Sequence, residues 1–443
     1  MNHNSLKQIV SMQKTGQAVG IYAACSANAY VIRAVLQRGK EGNAPVLIES
    51  TANQCDQYGG YTGMTPLDFR NFVHALAREI GFDTTKLFLG GDHLGPLTWK
   101  HLPEAEAMKE ATVLIQQYIK AGFCKIHIDT SMRLQDDDPT RPLSDEIIAK
   151  RGAQLAKVAD EAYRELLLEN AQAIEPVYVV GSEVPVPGGA TDNTSGLQIT
   201  TTEALENTIH AFSCAFQEAG VEHVWNNVIA IVVQPGVEER DSGCVEYSRE
   251  KAHNLMQAME AYPALVYEGH STDYQTKYKL RELVEDGVAI LKVGPGLTFA
   301  MREALFALAN IENELFYQED FEPSNFITVL EKEMRKEPKY WKNYYHGNAL
   351  ELRTKRLYSF SDRCRYYMPY PAVEAARAKL IQNLTKTGVP LHLLSQYMPI
   401  QYTKVREGML SPDPEALILD RIVNTVDEYL YATKQYMLCA AIK

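Results

Sequence analysis

Residues 86–93 read KLFLGGDH, an apolar run that ends without a turn in a carboxylate and an imidazole. A strand of a parallel sheet is covered on both faces, so it stays apolar until it emerges. A charged residue at its last position costs several kcal/mol unless it is paired or bound to a metal. The segment therefore reads as a buried parallel strand with a chemical tip. Seven further runs of this type surround it: AVGIYAACS (18–26), PVLIES (45–50), KIHIDTS (125–131), PVYVVGSE (176–183), NVIAIVVQ (227–234), ALVYEGH (264–270) and VAILKVG (288–294). Each is followed by a polar or glycine-rich turn and then by a segment of helical period.

The helical segments carry their own punctuation. Thr65-Pro66-Leu67-Asp68 offers an N-cap, a first-turn proline and an acid near the positive end of the helix dipole. Phe69, Phe72, Val73, Leu76 and Ile80 then make one apolar stripe, and Gly81 can close the helix. Eight such β-then-α units predict an α/β protein, a closed (β/α)8 TIM barrel, with a doubly wound open sheet as the alternative topology. The barrel is expected over residues 1–318. Beyond it the β-branched runs stop, and residues 319–443 read as a helical extension packing on the barrel or on a neighbouring subunit. Twelve of the 25 tyrosines fall between 340 and 443, which suits packing of such an extension, since tyrosine joins apolar bulk to one hydrogen-bonding tip.

The chain has 443 residues with 44 Lys+Arg against 56 Asp+Glu, a net charge of −12. With no long basic run this excludes a phosphate-backbone footprint, so no nucleic acid is expected as partner. Seven scattered cysteines without a C-x-x-C pair read as reduced thiols. There is no signal-peptide pattern and no stretch of ~18 uncharged apolar residues. A cytoplasmic protein away from membranes is the expectation. The sequence holds no G-x-x-x-x-G-K-[ST] loop and no full G-x-G-x-x-G, so nucleotide binding gets no support.

In this architecture the groups that do chemistry sit where strands end. Those ends supply Cys25, Glu49, Asp92, His93, His127, Asp129, Glu183, Gln234, Glu268, His270, Asp273 and Lys292. Any one of them alone is commonly a satisfied structural residue; their convergence is not. Asp92-His93 carries the most chemistry: the imidazole can ligate a divalent metal while the carboxylate, on the other side of the chain, handles a proton. His270 offers a second nitrogen, and Glu183 or Gln234 would complete three ligands with a position open for substrate. The metal-free alternative is that both histidines hydrogen-bond carboxylates. In KIHIDTS, His127 and Asp129 share the parity that enters the barrel, as outer support or as a grip on substrate hydroxyls. Lys292 is an ion-pair partner for Glu268 or Asp273, or else a Schiff-base nucleophile. Backbone amides at Gly294-Pro295-Gly296, at the start of the last barrel helix, would suit a phosphate. Arg363 or Arg365, beside Tyr366, would reach the mouth to hold one.

The segments LIESTANQ (47–54), QYGGYTGMTPLDFR (57–70), LGGDHLGP (89–96), GFCKIHIDTSM (122–132), GSEVPVPGG (181–189), IAIVVQPGVE (229–238), VYEGHSTDYQT (266–276), LKVGPGLTFAMREALFAL (291–308) and YSFSDRCRYYMP (358–369) together resemble the GatZ/KbaZ family. This is the larger, so-called non-catalytic subunit of class II tagatose-1,6-bisphosphate aldolase. The resemblance implies a TIM barrel, a place in galactitol or amino-sugar catabolism, and a smaller class II aldolase subunit as partner, with homo-oligomers also possible. Class II aldolases are zinc barrels whose strand-end Asp-His is similar to Asp92-His93, and a later zinc histidine is similar to His270. Their other zinc histidine falls at Gln234-Pro235, where this chain has none; a mixed site using Glu183 or Gln234 would suit Zn, Mn, Co or Ni. The expected reaction follows the same lines: Asp92, Glu183 and Asp129 are the catalytic candidates, and Glu49, His127, Asp273, Lys292, Gly294, Arg363 and Tyr366 the substrate-binding ones. The substrate would be a ketose or ketose phosphate. The alternative function is an independent metal-dependent C4 epimerase of the fructose/tagatose type, which the resemblance permits.

Overall fold

The computed structural model describes residues 4–184, 197–316 and 322–438. The boundary expected at 318/319 lies outside the described residues. The eight apolar runs form strands β1 (Ile21–Cys25), β2 (Val46–Thr51), β3 (Leu87–Leu94), β4 (Lys125–Ile128), β5 (Val177–Val180), β6 (Val228–Val233), β7 (Val266–Gly269) and β8 (Val288–Val293). All pair in parallel in chain order, and β8 pairs back onto β1 to close the barrel. The (β/α)8 architecture is thus present, and the open sheet is excluded. The helix Pro66–Ile80 starts and stops as its sequence predicts, with a Thr65/Asp68 capping box and Gly81 left-handed at φ +69°.

Register decides which side chains share the interior. Glu49 lies opposite Gly90, and Gly90 opposite Lys125. Glu268 lies opposite Val232 on one side and Ile290 on the other. Period-two alternation then places Leu47, Phe88, Val266 and Ile290 one layer below Glu49, Gly90, Glu268 and Lys292. The lower layers are apolar and are closed at the N-terminal end of the strands by Leu6, Ile9 and Leu438. Only the upper layer carries charge. The barrel is a packed plug with a polar lid, which leaves the site at the C-terminal ends of the strands.

The C-terminal helices extend the same apolar core. The helix Pro414–Thr433 packs on the helices Ala29–Glu41, Lys277–Glu285 and Pro295–Leu315, with Arg38 and Asp427 paired at 2.6 Å. A buried pair, Arg302 and Asp362 at 2.9 Å, with Thr298 donating to the same carboxylate at 2.6 Å, holds Arg363–Tyr367 against the mouth of the barrel. Among the described residues no helix is long and apolar enough to cross a membrane.

Close approach of the β3 and β4 exits depends on one missing side chain. A Cβ at Gly95 would stand 1.8 Å from the carbonyl oxygen of Asp129, a contact with backbone that cannot be relieved by a rotamer change. Gly95→Ala is therefore expected to destabilise the protein by about 1–3 kcal/mol. A urea titration should show a lower midpoint at unchanged slope; an unchanged midpoint would mean that the two loops part at no cost.

Candidate metal centre and active site

Strict alternation would put Asp92 and His93 on opposite faces of β3. Instead the backbone turns left-handed at His93, with φ +49°, and the β3/β4 register shifts between Gly91 and Leu94. This bulge brings both side chains to the same mouth, correcting the expectation that the carboxylate faces away. A left-handed non-glycine residue costs on the order of 1–3 kcal/mol and persists only where surroundings hold it. Here Asp129 does so: its Oδ2 lies 2.7 Å from His93 Nδ1, and its Oδ1 accepts from the Ser131 amide and hydroxyl at 3.1 and 2.7 Å.

Three imidazoles meet above the charged layer. Ring centroids are 5.0 Å apart for His93 and His127, 4.8 Å for His93 and His270, and 5.1 Å for His127 and His270. One ligand atom from each, together with a carboxylate oxygen of Asp92, lies within 4.8 Å of the others. Each ring is gripped on one nitrogen by a carboxylate: His93 by Asp129, His127 Nδ1 by Asp92 Oδ1 at 2.9 Å, and His270 Nε2 by Glu268 Oε1 at 3.0 Å. An ionised carboxylate only accepts, so a ring nitrogen that donates to it leaves the other nitrogen of that ring to face a metal. The His93 amide donates to His127 Nδ1 at 3.2 Å, beside Asp92 Oδ1 at 2.9 Å. His127 Nε2 is buried with no hydrogen-bond partner among the described residues.

That orphaned nitrogen is the observation that tests the donor set, because a buried polar atom without a partner calls for a missing one. Nitrogen donors with carboxylate backing fit a divalent cation of the Zn, Mn, Co or Ni type. The electrostatics agree. Burial opposes charge on Asp92, yet His93, His127 and His270 hold its carboxyl far below the usual range. Burial likewise opposes charge on His93, yet Asp92 and Asp129 raise it to about 8, so a proton sits where a cation would displace it. His270 is pushed down by burial against the pull of Glu268.

Beneath the imidazoles lies an ionic floor. Lys125 is 2.8 Å from Glu49 and 2.5 Å from Glu268, and all three are fully buried. Lys292 pairs with Glu49, with Asp92 at 2.8 Å and with Glu268 at 3.7 Å. Burial lowers its ammonium to about 8; burial opposes charge on Glu268 too, but Lys125 and His270 bring it down to about 2. Cys25, Glu49 and Asp92 form a second group with metal-ligand spacing, yet the Lys292 ammonium already stands among them as the cation.

Other expected site residues lie elsewhere. Glu183 is exposed and stands apart from the imidazole group. Gln234 spends its side-chain oxygen on the amides of Gly236 and Val237, at 2.8 and 3.0 Å, building the turn after β6. Neither stands with the imidazole group, whereas His127 does. Arg363 is buried against the Tyr344 ring, 3.2 Å from its centroid, and donates to the Tyr340 carbonyl. Its neighbour Arg365 lines the mouth instead, with Tyr366. The lysine was expected to pair with Glu268 or Asp273; the Glu268 pair is present at 3.7 Å, with Glu49 and Asp92 as its nearer partners. Gly294 lines the mouth, but its amide donates to Asp273.

The mouth is a cavity of about 740 Å³. Besides Asp92, His93, His270, Asp273, Lys292 and Tyr366 it is lined by Cys25, Tyr61, Glu239 and Arg365. Lys125, Tyr61 and Glu239 escaped the sequence reading. Lys125 had a signal, since it shares parity with His127 and Asp129; Glu239 lies in the two-residue strand Glu238–Glu239, paired with Cys244–Val245, too short for a periodic pattern to expose it.

Residues 6–434 match the family described as D-tagatose-1,6-bisphosphate aldolase subunit GatZ/KbaZ-like. Among solved structures the chain is similar to a protein of Sinorhizobium meliloti 1021 described as a probable tagatose 6 phosphate kinase, with 43% identity and TM-score 0.84, covering 93% of this chain and 100% of that one. It also aligns with the YdjI aldolase of Escherichia coli K12 at 11% identity and TM-score 0.40, covering 88% and 98%. A third alignment, to a fructose-bisphosphate aldolase of Campylobacter jejuni, has 16% identity and TM-score 0.44, covering 87% and 94%. The last two are too distant to carry an argument about this site.

Proposed function

The chain belongs to the GatZ/KbaZ-like family of D-tagatose-1,6-bisphosphate aldolase subunits, and on that premise we propose that it is such a subunit with a divalent-metal centre of its own. His93, His127 and His270 would hold the ion, and a ketose or ketose phosphate is the substrate. The observation that carries this reading is the convergence of three imidazoles, each held by its own carboxylate, on one buried point. An ion there would act as a Lewis acid toward the carbonyl and hydroxyl oxygens of a ketose. Asp92, kept ionised, takes the proton of the C4 hydroxyl. The C3–C4 bond then breaks with its electron pair passing toward C2, and the C4 hydroxyl oxygen becomes the aldehyde. Lys292 fixes Asp92 at 2.8 Å and balances its charge before the proton arrives. Asp129 and Glu268 orient imidazoles and do not touch substrate. Tyr61 and Tyr366, with ring centroids 5.0 Å apart, wall the mouth. Release of the aldehyde gives aldol cleavage; return to its other face gives C4 epimerisation, the second reading that the same geometry supports.

Metal analysis of the purified chain should find about one divalent ion per chain. Fructose, tagatose and their 6-phosphates and 1,6-bisphosphates should then be incubated with it, alone and with a class II aldolase subunit. Cleavage or C4 epimerisation that a chelator abolishes and Mn or Zn restores is the expected result. A metal-loaded chain inert in every mixture would reduce it to an assembly partner, and a chain that takes up no ion would end the proposal.

A further inference from the structure

The amide cradle after β8 is already filled from within. Gly294 and Gly296 donate to Asp273 Oδ1 at 3.0 and 2.7 Å, and a Cβ at Gly296 would stand 3.0 Å from that same oxygen. In parallel barrels the loops after the seventh and eighth strands, with the following helix N-terminus, are a frequent seat for a substrate phosphate. Here a carboxylate from the β7 loop takes the hydrogen bonds and the dipole field that a phosphate would need. Asp273 is 3% exposed and so is not a passing surface group.

A second observation points the same way. Glu239 is 5% exposed, lines the same cavity, and its Oε2 has no hydrogen-bond partner among the described residues. The Ser271 side chain hydrogen-bonds the same carboxylate, and the remaining buried acceptor beside the cavity calls for a further donor. Besides His93, which Asp129 holds, the cations lining the cavity, among the described residues, are Lys292 and Arg365. Lys292 is engaged by Glu49 and Asp92; Arg365 donates to the Ser361 and Asp362 carbonyls and the Tyr366 hydroxyl. A phosphate dianion at this end would meet two carboxylates and lack its amides.

We infer that this end of the mouth receives the unphosphorylated, hydroxyl-bearing end of a sugar, with Asp273 and Glu239 accepting from its hydroxyls and Asp273 excluding phosphate from the β8 cradle. The inference rests on the sugar-binding reading of the site given above and narrows its substrate class. Burial, with Asp273 nearby, raises Glu239 to about 7, and burial raises Asp273 to about 6 against the pull of the Gly296 and Gly294 amides.

Calorimetric titration of the full metal-loaded chain with D-fructose, D-tagatose and inorganic phosphate tests it. The free ketoses should bind, and inorganic phosphate should not register. Asp273→Ala should gain phosphate affinity by at least ~10-fold and lose ketose affinity by a similar factor. Glu239→Gln should weaken ketose binding without any gain for phosphate. Asp273→Asn retains a capping oxygen and serves as the folding control; it should take up no phosphate. The phosphate arm is repeated with chelator present, so the gain in Asp273→Ala is read whether or not the metal reading holds. Binding of inorganic phosphate by the parent chain, no measurable ketose binding, or no phosphate gain in a folded Asp273→Ala would each overturn the inference.

Discussion

Exchanging His127 for asparagine is expected to lower divalent-metal affinity by at least ~100-fold, and turnover with it. The reason lies in the two nitrogens of this ring. Nδ1 lies 2.9 Å from Asp92, and Nε2 is buried without a hydrogen-bond partner among the described residues. Asparagine can still reach Asp92 with its amide, so the carboxylate keeps a donor while the cluster loses its third nitrogen. With Asp92 given to the proton, two imidazoles then remain, one short of the three protein ligands of a catalytic site. Metal content per chain, read by elemental analysis after dialysis, checks this without reference to activity, and the visible spectrum of the Co-loaded protein should change at the same time. Asp129→Asn serves as the graded comparison: it loosens His93 without removing a ligand and should cost only ~10–100-fold in affinity. A His127→Asn protein that retains its full metal content and merely binds ketose more weakly would return His127 to the role of a hydroxyl grip.

That last role is the one its strand suggests when read alone, and the difference marks where sequence reasoning stops. The eight strands, their order and the helix Pro66–Ile80 were legible because covered parallel strands and capped amphipathic helices leave local signatures in composition and period. The polar strand ends were legible too, since Asp92, His93, His127, Glu268, His270 and Lys292 interrupt runs that would otherwise stay apolar. Which of them meet was not. Adjacent Asp92 and His93 face one site only because the backbone turns left-handed at His93, a strain that the surrounding contacts impose and that no local pattern announces. Lys125 stands at the first position of its strand, yet strand stagger sets it level with Glu49 near the end of β2, so rank along a strand misjudges height in the barrel. Arg363 and Arg365 are two residues apart in a short 3-10 segment, where simple parity says nothing of which reaches the mouth. Packing of the Arg302–Asp362 pair beneath that segment makes the choice.

Lys125 supplies the largest expected effect on stability. Its ammonium lies between Glu49 and Glu268 with no exposure to solvent, and removing one member of a buried ion set leaves charge uncompensated at a cost of about 3–5 kcal/mol. Lys125→Met keeps most of the stem volume and removes only the charge. For a chain of this length the loss corresponds to roughly 4 °C in the thermal midpoint, measured by calorimetry at fixed scan rate. Combining it with Glu49→Gln removes one of the stranded carboxylates and should recover part of the loss, a non-additivity that a double-mutant cycle reads directly. The consequence should reach the metal as well. Glu268 stays ionised against burial because Lys125 and His270 hold it there, and it is the Glu268 carboxylate that fixes His270 through Nε2. Without Lys125 that carboxylate is poorly supported, His270 loses its orientation, and metal affinity should fall by ~10-fold or more although no ligand has been touched. Unchanged stability together with unchanged metal affinity in Lys125→Met would separate the ionic floor from the centre above it and leave the three imidazoles to stand on packing alone.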